Sequence, residues 1–237
     1  MVEGSRWLKE LVSHGHPLQF VFYTEAWRQS ANHANILQQV QAPVQVVDPG
    51  LMASMSDTET PPGVLAVASV TPRPLPPEPT LLLILDQVTN PGNLGTMLRT
   101  AGAAGADGLI LGPGCVDAYN PKVLRGSMGA HLRLPIHELS WEEIGELVKK
   151  MQVWVTAVSQ AIPYTSINWQ EPSAIIIGSE AHGASPEAQA LAAGAVTIPM
   201  QDNTESLNAA VAAAVILFEA ARQRGGGSEQ VTVNRGQ

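Results

Sequence analysis

Cysteine is nearly missing from this sequence: Cys115 is the only one in 237 residues. A disulfide framework and a cysteine-based zinc site are therefore excluded, and a reducing compartment, the cytoplasm, is expected. No stretch approaches the 18 or so uninterrupted apolar residues that a membrane-crossing helix requires. Met1-Val2-Glu3-Gly4-Ser5-Arg6 has no apolar stretch behind a basic start, so no signal peptide is expected. Basic residues are also scarce. Thirteen Lys and Arg stand against 21 Asp and Glu, for a formal net charge of −8. That balance argues against bulk electrostatic binding to nucleic acid. Aromatic residues make up 5 % of the chain, and Trp7, Trp27, Trp141, Trp154 and Trp169 are dispersed, as packing residues are. There is no internal repeat, no Walker loop, no Ser/His/Asp triad and no G-x-G-x-x-G spacing. His14-Gly15-His16 is an isolated H-x-H pair in a polar turn, which reads as solvated, and no metal site is expected.

The apolar fraction is 45 %, enough for a globular chain with one large domain or two small ones. Thr71–Thr80 holds Pro72, Pro74, Pro76, Pro77 and Pro79. Each proline lacks an N–H and fixes φ, so this segment reads as a stiff, extended connector between two domains. The expected division is a small α/β domain over 1–70, the connector over 71–80, a larger domain over 81–224 and a disordered tail over 225–237. The small domain shows helix patterns at Ser5–His14 and Ala34–Val40 and strand patterns at Phe20–Tyr23, Val44–Val47 and Val64–Ala68. Its size implies that it leans on the rest of the chain.

After the connector, strands and helices alternate. Leu81–Leu85 and Ala174–Ile177 are continuous apolar runs, the mark of parallel strands covered on both faces. Further strands are expected at Gly108–Leu111, Val153–Val158 and Val196–Ile198, with an extended segment at Leu132–Ile136. Helices are expected at Leu94–Ala104, Pro121–Met128, Trp141–Met151, Pro186–Ala193 and Ser206–Arg222. This alternation predicts a parallel sheet with helices on both faces. The last helix is apolar almost all round, with Leu207, Val211, Val215 and Phe218 in one stripe. It should be buried on more than one face, inside the chain or against a second subunit.

Ligands of open parallel sheets sit beyond the carboxyl ends of the strands, so three loops draw notice. Asp86–Gly95 carries Asn90 and Asn93 and runs into a helix bearing Arg99. It reads either as a capped loop or as a grip on an anion or a ribose. Gly178-Ser179-Glu180-Ala181-His182-Gly183 has glycine at both ends, permitting close backbone approach to a ligand. Glu180 is then a cap or a polar anchor, and His182 an exposed loop residue. Ile198–Asn208 leads into the long helix, where Asn208 must find a partner. Charge points the same way. Residues 81–137 carry Arg99, Lys122, Arg125 and Arg133 against three acids, whereas both flanking segments are acidic.

These loops resemble the three motifs of the SpoU (TrmH-like) RNA ribose 2′-O-methyltransferases, of the SPOUT class. The first lies at Asn90-Pro91-Gly92-Asn93-Leu94-Gly95 with Arg99-Thr100-Ala101 and Gly105-Ala106. The second lies at Ile177-Gly178-Ser179-Glu180 with His182-Gly183, and the third at Ile198-Pro199-Met200 with Glu205-Ser206-Leu207-Asn208. Asn120-Pro121-Lys122 and Arg125 through Ala130 are also similar to the family. The likeness covers about residues 81–222, with all three motifs in order. Residues 3–70, above all Ser56 through Val64, resemble the small substrate-binding domain that precedes the catalytic domain in many members. The stretch usual before Glu3-Gly4 is missing, and members usually carry glycine near Asp202.

The resemblance implies a deep trefoil knot near the C-terminus, a homodimer, and S-adenosylmethionine held in a bent shape mostly by backbone groups. Gly178, Ser179, Glu180, Ile198, Met200, Ser206, Leu207 and Asn208 would form that cofactor site. It implies RNA as substrate, ribosomal ahead of transfer RNA with both left open, and no metal. Arg99, Asn93, Ser206, Asn208 and Glu180 are the implied catalytic set, and Arg99, Lys122, Arg125 and Arg133 the RNA-binding set, expected to converge despite the net acidity. Two other readings stay open on sequence: a catalytically silent RNA-binding or assembly factor on the same fold, and an unrelated nucleotide-binding α/β enzyme.

Overall fold

The computed structural model describes residues 1–69, 72–201 and 206–225. The expectations placed on Asp202, on Glu205 and on the tail beyond Gly225 lie outside the described residues. The N-terminal part runs β1 (Val2–Glu3), α1 (Ser5–Ser13), β2 (Leu18–Tyr23), α2 (Glu25–Arg28), α3 (Ala31–Gln38), β3 (Val44–Val46), α4 (Pro49–Met55) and β4 (Val64–Ala68). Its four strands lie in the order β1-β4-β2-β3. The buried side of α1, Trp7, Leu8 and Leu11, packs on Val21, Tyr23 and Ala66, and the same cluster takes in Leu124 and Leu132 from the C-terminal part. Glu10 adds an ion pair to Arg133 at 2.7 Å. This small sheet thus completes its core with residues of the larger unit. Helix α4 is absent from the sequence expectation. Its start is set by Asp48, whose carboxylate accepts from the amides of Gly50 and Leu51 at 2.9 and 3.0 Å, with Pro49 in the first turn.

Residues 72–80 form no strand or helix, yet they are fastened. Leu75 packs beside Leu82 and Ile110, and the Arg73 carbonyl accepts from His137 Nε2 at 2.8 Å. The larger unit follows: β5 (Leu81–Leu85), α5 (Pro91–Ala103), β6 (Gly108–Leu111), α6 (Pro121–Ser127), β7 (Ile136–Glu138), α7 (Trp141–Leu147), β8 (Gln152–Thr156), β9 (Ile162–Pro163), β10 (Ser173–Ile177), α8 (Pro186–Leu191), β11 (Gly194–Thr197) and α9 (Ala209–Gln223). Its seven strands are ordered β7-β6-β5-β10-β8-β11-β9, and every pairing is parallel. The two central strands, β5 and β10, are the two continuous apolar runs, and all ten of their residues are buried. Leu81, Leu83, Leu85, Ile175 and Ile177 face α5, α6 and α9. Leu82, Ile84, Ala174 and Ile176 face α7 and α8. The strict alternation of the strand thus feeds both helical layers.

Several boundaries differ from expectation, four of them for a clear local reason. Helix α5 begins at Pro91, not Leu94, because the Asn90 side chain accepts from the amides of Gly92 and Asn93. Residues 130–132 make a 3-10 turn after two left-handed residues, Met128 and Gly129, so the next strand waits until Ile136. Helix α7 stops at Leu147, where Val148 leaves the helical conformation and a tight turn joins Met151 to it. Helix α9 begins at Ala209, not Ser206: Asn208 is its N-cap. Nor is α9 covered all round. Ala210, Ala213, Ile216, Leu217 and Ala220 are buried, whereas Leu207 just before the helix, Val211 and Phe218 are 38, 49 and 52 % exposed. At its far end, Arg224 donates to the carbonyls of Trp169, Thr80 and Glu171, tying the helix to the start of the central strands.

Candidate active site

Strand order reverses between β5 and β10: the chain leaves β5 toward β6 and β7, then returns through β8 to the other side. The loops that leave the carboxyl ends of β5, β10 and β11 meet beside this switch, the usual place for a ligand in such a sheet.

Three side chains join those loops. Asn93, in the first turn of α5, donates through Nδ2 to Glu180. Its Oδ1 accepts from Asn208 Nδ2 at 3.0 Å. Asn208 in turn caps α9, its Oδ1 accepting from the amides of Ala210 and Val211 at 2.9 and 3.3 Å. The chain of bonds Glu180–Asn93–Asn208 therefore links the first, second and third loops. Asn93 keeps a second N–H and a second lone pair free for a ligand.

The second loop is tightly closed. Ser179 and Gly183 exchange two backbone bonds of 2.9 Å, and Ser179 Oγ accepts from the amides of Ala181 and His182. A Cβ on Gly178 would come within 2.3 Å of the Gly183 carbonyl carbon, so only glycine fits there. Below the loop lies Asp86, fully buried, whose Oδ2 accepts from the Ser185 amide at 2.6 Å. Asp86 Oδ1 has no partner among the described residues.

Between the second and third loops opens a cavity of about 930 Å³. Gly178, Ser179, Glu180, Ile198, Met200, Ser206, Leu207 and Asn208, the whole set singled out on sequence as cofactor-binding, line it. So do residues that sequence reasoning missed: Thr156 to Gln160 after β8, Gln189 of α8, and Ile216 of α9. The one signal that could have found the first group is their place after a parallel strand. Glu180 is the only Asp, Glu, Lys or Arg on the wall among the described residues, and His182 lines it as well.

Arg99 does not line the cavity. It is exposed on α5 and forms no ion pair or side-chain hydrogen bond among the described residues. Helices α5 and α6 approach closely at Gly95 and Gly126, where an added Cβ on Gly95 would stand 3.0 Å from Gly126 Cα. Lys122 and Arg125 are exposed on α6, as Arg99 is on α5. Arg133 does not join them: Glu10 holds it at the contact with the N-terminal sheet. Of the four cations expected to converge, Arg133 is thus engaged by an acid from the other sheet.

The remaining candidates have structural partners. Cys115 Sγ donates to the Leu85 carbonyl at 3.3 Å, and burial pushes its pKa up, which makes it a poor nucleophile. His14 Nδ1 and His16 Nε2 bond to the carbonyls of Glu10 and Leu132. Among the described residues there is no group of three metal-ligating side chains, and no helix is long and apolar enough to cross a membrane.

A model of the SpoU rRNA Methylase family matches residues 80–218. The chain belongs to that family. Its first 66 residues match an MRM3-like substrate binding domain. A 23S rRNA guanosine 2′-O-methyltransferase of Bacillus subtilis is 36 % identical over 168 residues, 70 % of this chain and 67 % of that one. A 23S rRNA uridine 2′-O-methyltransferase of Streptomyces viridochromogenes is 31 % identical across 98 % of this chain and 85 % of its own length. Among solved structures, the SpoU methyltransferase AviRb from Streptomyces viridochromogenes, in complex with the cofactor AdoMet, superposes with a TM-score of 0.86. It is 30 % identical, with 95 % of this chain and 90 % of that one covered. In this SpoU member, the three motif loops are the three that meet at the β5/β10 switch.

Proposed function

We propose that this chain is an S-adenosylmethionine-dependent methyltransferase acting on a ribose 2′-hydroxyl of ribosomal RNA. The observation that carries this reading is the bonded chain Glu180–Asn93–Asn208, which ties the first motif to the wall of the cavity, while Arg99 on the same helix has no ion-pair or side-chain hydrogen-bond partner among the described residues. The cavity suits the cofactor. About 930 Å³ lies within the ~300–1,000 Å³ range of small-molecule sites. Ile177, Val196, Ile198, Leu207 and Ile216 provide an apolar wall, and Gly178 permits close backbone approach. Glu180, the one Asp, Glu, Lys or Arg that lines the cavity among the described residues, is of the sign that favours a cationic sulfonium.

When bound, S-adenosylmethionine supplies a methyl group already activated on sulfur, so the protein's share is alignment and charge stabilisation. A guanidinium is effectively never deprotonated, which excludes Arg99 as the base. Arg99 instead holds a phosphate of the substrate and stabilises negative charge on the hydroxyl oxygen as its proton leaves. Asn93, through its spare donor and acceptor, and Ser206, which is exposed and has no side-chain hydrogen bond among the described residues, orient the ribose. Glu180 and Asn208 brace the loops. Lys122 and Arg125 take further phosphates, and their place in the one segment of the chain that is not acidic offsets the overall charge of −8.

The same reading includes a trefoil knot, with the third motif threaded beside β10. Supporting it are the insertion of β10 between β5 and β8, and the likeness to SpoU structures. It includes a homodimer built on the exposed apolar side around α9, with Leu207, Val211 and Phe218 at its centre. It also includes a substrate-binding unit over 1–70 joined by the proline-rich segment to a catalytic unit over 81–224, acting in the cytoplasm. The test is Arg99→Ala. Methyl transfer should fall by at least ~100-fold, while S-adenosylmethionine affinity changes less than about twofold. Full turnover by this variant removes Arg99 from the mechanism.

A further inference from the structure

One exposed aromatic residue, Tyr119, comes three positions before Lys122 and six before Arg125, both without an ion-pair partner among the described residues. Tyr119, 37 % exposed, ends the loop that follows β6. Its place is fixed from three directions. Its amide donates to Asp117 Oδ1 at 2.8 Å. The next residue, Asn120, caps α6 by accepting from the Lys122 amide at 2.9 Å. The ring rests on His131 at 5.6 Å between centroids, and His131 rests on Trp7 at 6.3 Å. His131 is itself held, with Nε2 donating to the Ala118 carbonyl at 2.7 Å and Nδ1 bonded to Ser127 Oγ at 2.8 Å. A tyrosine so braced has little freedom left to lose on binding, which is the condition for a good contact ring.

The surroundings select the ligand. Lys122 and Arg125, three and six residues on, are exposed and unpaired among the described residues, and the acid nearest in sequence, Asp117, is engaged by the Tyr119 amide. An aromatic ring next to free cations, on a chain otherwise acidic, fits a base and its flanking phosphates. Topology then says which base. The loop of Tyr119 touches the loop before α5, with the Val116 amide donating to the Val88 carbonyl at 2.9 Å. Strands β6 and β10 flank β5 on opposite sides, so Tyr119 and the cavity lie on opposite sides of the loop that carries Asn93. A strand whose target ribose sits at Asn93 and the cavity mouth would cross α5 toward Tyr119.

From this juxtaposition we infer that Tyr119 stacks on an unpaired nucleobase neighbouring the methylated nucleotide, with Lys122 and Arg125 on the adjoining phosphates. The inference rests on the functional reading above and adds a recognition residue to it. The experiment is steady-state methyl transfer by the full chain on ribosomal RNA purified from host cells lacking the protein. Tyr119→Ala should raise KM for that RNA by roughly 5- to 150-fold, the worth of one base–aromatic stack. Both kcat and KM for S-adenosylmethionine should stay within about threefold. Tyr119→Phe keeps the ring and should match the wild type. An unchanged KM for RNA in Tyr119→Ala overturns the inference. So does a Tyr119→Phe variant as impaired as Tyr119→Ala, or an effect seen on assembled ribosomal particles but not on naked RNA. A wild-type protein that methylates none of this RNA sinks the functional reading and the stacking site together.

Discussion

Replacing Gly178 by alanine probes the cofactor wall with the smallest change available. The new methyl carbon would lie 2.3 to 2.4 Å from Gly183 C and O and Ala184 N. All three are backbone atoms that no side-chain rotation can move aside. Ordinary van der Waals spacing requires the 183–184 segment to retreat by about 1 Å. That retreat strains the two Ser179–Gly183 bonds and the Ser185 amide bond to Asp86. At about 0.5–1.5 kcal/mol for each bond, the total is on the order of 2–4 kcal/mol. If half of this falls on the bound state, S-adenosylmethionine affinity drops by roughly 5- to 30-fold. Calorimetric titration gives the affinity, and a melting curve gives the share taken from stability. A variant that binds within twofold of wild type and melts at the same temperature would show that this loop does not wall the cofactor.

Three further outcomes follow from the packing. Gly95→Ala places a methyl 3.0 Å from Gly126 Cα and from the Val123 carbonyl oxygen. It should cost about 1–3 kcal/mol, read by denaturant unfolding, and an unchanged midpoint would contradict the close contact of α5 and α6. Burial lowers the pKa of His131, so the folded state disfavours its protonation. Its contribution to stability is present above the ordinary value near 6.5 and is lost as pH falls below it. Melting temperature should therefore fall more steeply below pH ~6.5 in the wild type than in His131→Gln, and parallel curves would refute this. Val211→Glu with Phe218→Glu should turn a dimer into a monomer by sedimentation. A wild-type chain already monomeric at micromolar concentration would remove the α9 interface.

Much of the architecture was legible because it rests on local rules. The unbroken apolar runs at 81–85 and 174–177 could belong only to strands covered on both sides, and they are the centre of the sheet. Misplaced starts came from capping. Asn90 with Pro91 and Asp48 with Pro49 follow the same pattern of cap and first-turn proline. Neither is marked by apolar periodicity, so one helix began late and the other went unseen. Eight residues of the cavity wall were reached through motif likeness, whereas the β8 loop, which also lines it, carries no motif. The bonds among Asn93, Glu180 and Asn208 span 87 and 115 residues of sequence, a pairing that no local pattern encodes. Arg133 had the right charge, but its partner Glu10 lies 123 residues away. Only the docking of the two sheets shows that it is occupied.

The central claim is that this protein moves a methyl group from S-adenosylmethionine to a ribose oxygen. The direct test incubates the protein with methyl-deuterated S-adenosylmethionine and ribosomal RNA from cells lacking it, followed by digestion and mass spectrometry of the nucleosides. Deuterated methyl should appear on the sugar of one nucleoside and be absent with Arg99→Ala. Label on a base, or no label in RNA at all, would contradict it.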